Sequence, residues 1–157
     1  MQTRVRSMSA DDIPTLADWV AQVPLWRRYQ LNAEKARHQF EAALQQGDIL
    51  LVADCAEGAR ACGFVWVMPQ GGFGHAYLRL IGVQPAYAGQ GLGAALLAAA
   101  ETRAAERSPS MFLLVSDFNT EAQRFYQKHG YRPVGAIPAF VLPDVAERIF
   151  YKPLQRA

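Results

Sequence analysis

One segment in the middle of the chain restricts the possible folds more than any other. A β-rich run, Tyr77–Val83, is followed closely by Pro85, which ends a strand because proline cannot donate a ladder hydrogen bond. Three alternate glycines, Gly89, Gly91 and Gly93, then open an alanine-rich helical stretch. The first-turn amides of such a helix point at the glycines, and its dipole favours an anion there. Because glycine lacks the Cβ that would keep a ligand off the backbone, we expect a phosphate or pyrophosphate as the ligand.

The same glycines partly fit two nucleotide-binding patterns. Gly89-x-Gly91-x-x-Ala94 matches the dinucleotide fingerprint, but that fold needs successive β-α-β units and this segment follows two predicted helices and a hairpin. The phosphate loop of nucleoside triphosphatases is excluded because no lysine follows a glycine. A tight turn without a ligand is the simplest alternative, and three glycines in five residues favour the anion site over it.

The remaining periodicities predict a mixed α/β chain. We expect a first strand at Gln2–Met8, a helix capped by Ser9 or Asp11 that runs through Val23, and a break of that helix at Pro24–Tyr29. A second helix should begin at Asn32 and end at Gly47, and a turn is expected at Pro69–Gly74. The predicted order is β-α-α-β-β-β-α-β-α-β-β, with one β-α-β unit at its centre. The other predicted elements are strands at Ile49–Ala53 and Cys62–Met68 joined by a Glu57-Gly58 turn, a strand at His75–Val83, a helix at Gly91–Arg107, a strand at Met111–Ser116, a helix at Asn119–His129, and strands near Pro133–Ala139 and Arg148–Lys152.

Composition is that of an ordinary globular protein. The 157 residues are 51% hydrophobic and 19% charged, which predicts one domain, residues 1–157. A net charge of +2 is too small to suggest a nucleic-acid or membrane-surface partner. No run in the sequence approaches the ~20 apolar residues of a membrane helix. No apolar stretch precedes Asp11, so we expect no secretory signal and a cytoplasmic location. Cys55 and Cys62 are spaced for neither a zinc site nor a redox pair, and the three histidines share no metal-ligand spacing, so no metal is expected.

Two segments together resemble the GNAT superfamily of N-acetyltransferases. The family's acetyl-CoA loop, Arg/Gln-x-x-Gly-x-Gly/Ala after a strand, is similar to Ala88-Gly89-Gln90-Gly91-Leu92-Gly93, with Ala88 where the family usually has Arg or Gln. The closing run Glu147–Leu154 is similar to the family's last strand, and the order of elements agrees over nearly the whole chain. The second family segment, Asn-x-x-Ala-x-x-Phe-Tyr-x-x-x-Gly-Phe/Tyr, is matched by Asn119, Ala122, Phe125, Tyr126, Gly130 and Tyr131.

The resemblance implies a GNAT-type fold: a mixed, mostly antiparallel central sheet with a splayed parallel strand pair, flanked by about four helices. It implies acetyl-CoA as co-substrate, with pantetheine bonded like an extra strand to backbone groups of Ile81 and Val83. Gly82 would let the backbone bulge or be approached closely. The cofactor contacts that follow from the resemblance are Ile81, Gly82, Val83, Ala88, Gly89, Gln90, Gly91, Leu92, Gly93, Ala94, Asn119, Phe125 and Tyr126.

The resemblance also implies Tyr126 as the acid that protonates the departing thiolate. Asn119 lies seven residues earlier, nearly two helical turns, so both side chains share a face. Asn119 would contact pantetheine, cap the helix, or do both. The alternative for Tyr126 is a core aromatic residue beside Phe125.

The general base is less well marked in the sequence. The family's glutamate on the central strand corresponds to Tyr77, whose ordinary pKa near 10 makes it a poor base at neutral pH. His75, two residues earlier, has a suitable ordinary pKa, although a surface residue after a glycine turn is the simpler account. Asp117 is a third candidate, for which a turn residue before a helix is the simpler account.

We therefore expect an N-acetyltransferase that moves acetyl from acetyl-CoA to a small-molecule or peptide primary amine by direct attack in a ternary complex. The resemblance implies that Trp26–Tyr29 and Ile137–Phe140 are walls of the acceptor site, although Trp26–Tyr29 could instead be a solvated loop with aromatic anchors in the core. Two alternatives remain: a non-catalytic acyl-CoA-binding sensor on the same fold, and a dinucleotide-binding oxidoreductase. A homodimer is one expected assembly, while the acceptor, the acyl-chain preference and the oligomeric state stay open.

Overall fold

The computed structural model describes residues 3–55 and 58–155, which contain seven strands and five α-helices. The helices are α1 (Ile13–Val20), α2 (Pro24–Arg28), α3 (Ala33–Gln46), α4 (Leu92–Ala105) and α5 (Thr120–Lys128). The strands are β1 (Arg4–Ser7), β2 (Ile49–Asp54), β3 (Gly63–Gly72), β4 (His75–Val83), β5 (Ser110–Ser116), β6 (Arg132–Ile137) and β7 (Glu147–Pro153), in the sheet order β1-β2-β3-β4-β5-β7-β6.

The sheet is mixed and mostly antiparallel, as predicted. β1 with β2, β2 with β3, β5 with β7 and β6 with β7 are antiparallel, whereas β4 and β5 are parallel. The parallel register joins Ala76 with Met111, Tyr77 with Phe112 and Leu78 with Leu113. This ladder therefore covers three residues of the nine-residue strand β4.

The chain folds into two compact units, and the prediction of one domain stays a prediction. Unit 1 comprises Met1–Val67 and Leu80–Ala100. Its core holds a run of neighbouring aromatic rings with centroids 5.2–6.3 Å apart, in which Phe64 of β3 contacts three other rings. These rings belong to Trp19, Trp26, Phe40, Phe64 and Trp66.

Unit 2 comprises Met68–Arg79 and Glu101–Ala157. β7 pairs with β5 along its whole length, and the inward side chains Met111, Leu113 and Phe150 are fully buried. Tyr126 of α5 contacts the Phe150 ring, so α5 covers that face of the β5–β7 pair.

Local signals explain most helix ends. Asn32 caps α3 by accepting a hydrogen bond from the Lys35 amide at 2.8 Å, and Gly47 ends that helix in the left-handed region with φ +79°. A capping box of Ser9 and Asp12 begins a short 3-10 turn that leads into α1. The predicted start and end of α3 are thereby confirmed.

Two local predictions were wrong or incomplete, and two others lie partly on residues that the structure does not describe. Pro24–Tyr29 does not simply break a helix, because proline is tolerated in a first helical turn and the segment forms α2, which makes five helices rather than about four. Pro69–Gly74 is mostly strand, since Phe73 (φ +53°) and Gly74 (φ +81°) suffice for a two-residue hairpin turn. Of the predicted Glu57-Gly58 turn and the Gln2–Met8 strand, Glu57 and Gln2 lie outside the described residues.

Candidate active site

The glycine loop of unit 1 is an open backbone concavity in front of α4. Gly89 has φ +78° and Gly91 has φ +81°, and a Cβ built on either would have no atom within 4 Å. Gly91 accepts the first helical hydrogen bond, from the Ala95 amide at 3.1 Å, so the amides of residues 92–94 lack a helical acceptor. Ala88, Gly89 and Gly91 are exposed, whereas Leu92 is buried and anchors the helix start. An anion can reach this backbone.

Position 82 of β4 requires glycine, because a side chain of unit 1 lies directly against the backbone there. A Cβ at Gly82 would overlap the indole of Trp26. The Trp26 ring also lies 5.7 Å from Phe64 and 6.3 Å from Trp19. Trp26 is therefore an aromatic anchor, while Arg27 beside it is exposed.

Tyr126 is the most enclosed candidate in unit 2. The residue is 6% exposed, and its ring centroid lies 5.3 Å from that of Phe125 and 5.7 Å from that of Tyr131. Within residues 3–55 and 58–155 its hydroxyl has no hydrogen-bond partner, although fully buried side-chain oxygens there all have one. The hydroxyl oxygen must therefore keep some accessible surface. Burial, with a smaller effect of Tyr77, raises the pKa of Tyr126 well above its ordinary value.

Tyr77 and His75 lie on one face of β4, because burial alternates along its first five residues. Burial raises the pKa of Tyr77, and the charge of Glu147 raises it further against an opposing effect of Arg79, so Tyr77 stays protonated at neutral pH and is not a base. His75 shares a hydrogen bond between its Nδ1 and Ser110 Oγ at the beginning of β5. The structure therefore holds His75 on Ser110 and leaves Tyr77 as a neutral hydroxyl.

Asn119 and Asp117 have structural partners at the two ends of the β5–α5 connection. Asn119 caps α5 by accepting a hydrogen bond from the Ala122 amide at 3.2 Å. Asp117 accepts from the Ala146 amide at 3.1 Å and donates its own amide to the Ala146 carbonyl at 2.9 Å. Asp117 therefore fixes the chain that enters β7, and its carboxylate is engaged there. Phe125 is half-buried, 4.7 Å from the His129 ring.

Sequence reasoning missed Glu147, the first residue of β7. Glu147 is only 8% exposed, and its negative charge helps to raise the pKa of Tyr77. The only sequence signal was a carboxylate at the start of an alternating strand, which does not distinguish a buried glutamate from an exposed one.

The comparisons with known proteins agree with this geometry. The family model described as "Acetyltransferase (GNAT) family" matches residues 14–131. The chain belongs to the GNAT family. A mycothiol acetyltransferase of Clavibacter sepedonicus is 35% identical over 141 residues, which are 80% of this chain and 41% of that protein, so the GNAT chain spans about two fifths of its relative's length.

Solved structures show the same fold. A GNAT acetyltransferase from Bacillus cereus has a TM-score of 0.83 at 18% identity, covering 99% of this chain and 100% of its own. The protein yncA from Salmonella typhimurium, solved with its cofactor acetyl-CoA, has a TM-score of 0.79 at 16% identity, covering 99% and 95%. The GNAT fold predicted from the two motifs is confirmed, and the family match favours neither the sensor nor the oxidoreductase.

None of the helices in residues 3–55 and 58–155 is both long and apolar enough to cross a membrane. Over the same residues, no three histidine, cysteine, aspartate or glutamate side chains are grouped so that they could hold a metal ion.

Proposed function

We propose that this GNAT chain is an acetyl-CoA-dependent N-acetyltransferase that moves an acetyl group to a primary amine by direct attack in a ternary complex. The observation that carries the proposal is the glycine loop, where Gly89 and Gly91 are left-handed and open on the side that a Cβ would fill. Such a cradle fits the pyrophosphate of coenzyme A, which backbone amides and the α4 dipole would bind. Ala88 offers no side-chain donor, so the affinity would rest on the backbone.

The chemical part of the proposal rests on unit 2. When bound, acetyl-CoA supplies the thioester whose acetyl group is transferred. Tyr126 would donate a proton to the departing sulfur, because burial keeps its hydroxyl protonated and no described residue accepts its hydrogen bond. Tyr77 would act as a second neutral hydroxyl, because burial raises its pKa.

Direct attack is favoured over a cysteine-linked acyl-enzyme by the state of the Cys62 thiol. Burial and the neighbouring Cys55 thiol raise the pKa of Cys62 to about 12, so little thiolate forms at neutral pH. A thiol that stays protonated is a weak nucleophile.

The cofactor site is tested by calorimetry of acetyl-CoA with the Gly91→Val and Gly74→Val proteins. Both glycines have φ +81° and open space at the Cβ, so each valine strains the backbone by about 1–2 kcal/mol or more and similar losses of stability are expected. Only Gly91→Val is expected to lose acetyl-CoA binding. Undiminished affinity in folded Gly91→Val would remove the pyrophosphate from this loop.

The reaction is tested by release of free coenzyme A with a panel of primary amines: a polyamine, an amino acid, an aromatic amine, a peptide N-terminus and an amine of the mycothiol class, after the relatives' name. We expect at least one amine to accelerate release. Tight acetyl-CoA binding without acetylation of any amine would instead support the sensor, and binding of NAD in place of acetyl-CoA the oxidoreductase. A cytoplasmic location and a homodimer belong to the same proposal, and sedimentation would test the dimer.

A further inference from the structure

Two cysteine residues meet at the turn that joins β2 to β3 in unit 1. Cys55 directly follows β2, and Cys62 directly precedes β3. The Cys55 amide donates a hydrogen bond to the Ala59 carbonyl at 2.9 Å, and the Cys62 thiol donates to the same oxygen at 3.4 Å. One carbonyl oxygen therefore holds the two ends of the turn together. The spacing of the two cysteines fits no redox motif, so only the folded turn shows that they are neighbours.

The two thiols also interact with each other. Both are free, and burial followed by a hydrogen bond to the Cys55 thiol raises the pKa of Cys62 to about 12. Two neighbouring thiols are the arrangement that thiol–disulfide exchange converts into one disulfide, through a mixed disulfide on the first thiol.

The two cysteines differ in their access to solvent. Cys62 is 1% exposed, whereas Cys55 is half-buried. The Cys62 backbone is also fixed, because its amide donates to the Ala53 carbonyl at 2.8 Å and its carbonyl accepts from the Gln84 amide at 2.7 Å. A thiol reacts with a dissolved molecule only where that molecule can reach it. Cys55 is therefore the thiol that meets a reactant, and Cys62 is placed to react with Cys55.

Cys55 lines an open pocket of unit 1. The pocket has a volume of about 530 Å³, and its lining includes the arginines Arg4, Arg6 and Arg60. Sites for small molecules are typically about 300–1,000 Å³ in volume. The pocket is thus large enough to bring a small molecule to the half-buried thiol.

The charge of this pocket favours an anion. Arg6 is engaged within the protein, because it donates to Asp12 at 2.8 Å and to Asp54 at 2.6 Å. Asp54, the carboxylate of the described pocket lining, is therefore already paired. Arg4 and Arg60 are exposed at the same pocket and can meet a ligand. Guanidinium groups bind carboxylates through charge-assisted hydrogen bonds, so an anionic reactant fits this lining.

We propose that Cys55 and Cys62 form a thiol–disulfide exchange site for an anionic low-molecular-weight disulfide, which enters the pocket beside Arg4 and Arg60. This inference does not depend on acetyl transfer. It assigns a redox modification to the β2–β3 turn.

The exchange runs in two balanced steps. Cys55 releases its proton to water, and its thiolate attacks one sulfur of the disulfide, so a mixed disulfide forms and one thiolate leaves and takes a proton. Cys55 then carries neither a thiol proton nor a charge, which removes two of the causes that raise the pKa of Cys62. Cys62 loses its proton, and its sulfur attacks the Cys55 sulfur and releases the second thiolate, which also takes a proton. The protein gives up two electrons, and the small disulfide is reduced to two thiols.

The products are identified by mass spectrometry and thiol alkylation after acid quenching, with oxidised glutathione as the anionic probe. Wild type should lose the mass of two hydrogens and both free thiols, with no adduct at the end of the reaction. Cys62→Ala should stop with one glutathionyl group on Cys55. Folded Cys55→Ala should stay unmodified, because Cys62 is buried.

The role of charge is tested by the rate of the first step. Arg4→Gln/Arg60→Gln should react with oxidised glutathione about fivefold more slowly at low ionic strength, and high salt should reduce the difference. The neutral 2-hydroxyethyl disulfide should react with this variant and with wild type at the same rate. The matched control is Arg37→Gln/Arg124→Gln, which changes two exposed arginines outside the pocket lining and should keep the wild-type rate.

Survival of both wild-type thiols in oxidised glutathione overturns the inference, as does a stable mixed disulfide on Cys55 that Cys62 never resolves. Folded Cys55→Ala that is modified at Cys62 as fast as wild type overturns it too. An unchanged rate in Arg4→Gln/Arg60→Gln overturns the assignment of an anionic reactant. If thermal unfolding shows that a cysteine variant is misfolded, the wild-type product and the exposed arginine variants decide.

Discussion

The substitution Tyr126→Phe removes one oxygen from a fully packed ring and tests the proposed acid directly. The Tyr126 ring contacts Phe125, Tyr131 and Phe150, and phenylalanine keeps those contacts. The hydroxyl bonds no residue among those described, so its removal breaks no hydrogen bond of the protein. Stability should therefore change by less than about 1 kcal/mol.

The expected effect on the rate is much larger than the effect on stability. Loss of a general acid lowers a rate by about 10²–10⁴-fold, which corresponds to about 2.7–5.4 kcal/mol in the activation free energy. The acid is lost only at the chemical step, so the affinity for acetyl-CoA should stay nearly unchanged.

Tyr131→Phe is the matched control in the same ring cluster. Its hydroxyl donates to Glu101 Oε2 at 2.8 Å, a bond to a charged group that contributes about 1.5–3 kcal/mol. Tyr131→Phe should thus lower Tm by several degrees and leave turnover intact, the reverse of Tyr126→Phe. Steady-state release of coenzyme A, calorimetry and thermal unfolding on both proteins give the comparison. Full activity in Tyr126→Phe would refute the acid role and leave this tyrosine as a packing residue.

Two further predictions concern stability. Asn119→Ala removes the cap of α5 and should cost about 1 kcal/mol in urea unfolding; an unchanged midpoint would show that the cap contributes little. Asp12 accepts hydrogen bonds from Arg6 at 2.8 Å, and these bonds lower the pKa of its carboxyl. The stability that Asp12 contributes is therefore present above the unfolded pKa of about 3.9 and is lost as pH falls below that value. Asp12→Asn should therefore be less stable than wild type at pH 7 by about 1–3 kcal/mol, with the gap narrowing towards pH 2, and a pH-independent gap would contradict this.

Local sequence signals predicted helix and strand ends well where the signal depends only on the backbone beside it. Asn32 and Gly47 bound α3 because a cap and a left-handed glycine need no tertiary context. The strand at Pro69–Gly72 was missed because its neighbours across the sheet outweigh a proline and two glycines. Gly82 was expected to allow a close approach, but only the fold shows that Trp26 makes it.

The site was predictable to the extent that it depends on spacing along one element. The left-handed glycines before α4 follow from the sequence pattern, since only glycine takes φ near +80° without strain. The partners of Asp117 and His75 did not follow from it, because each is bonded to a residue 29 or 35 positions away. Glu147 was missed for the same reason, as burial at a strand end depends on its two neighbouring strands.

Burial of the proposed acid has a kinetic consequence. The Tyr126 ring lies against Phe150, whose side chain is fully buried. Burial keeps the Tyr126 hydroxyl protonated beyond its ordinary pKa near 10. A general acid must be protonated to act, so the pH–rate profile should show no alkaline limb from Tyr126 below about pH 10. An alkaline limb below that pH that disappears in Tyr126→Phe would contradict this.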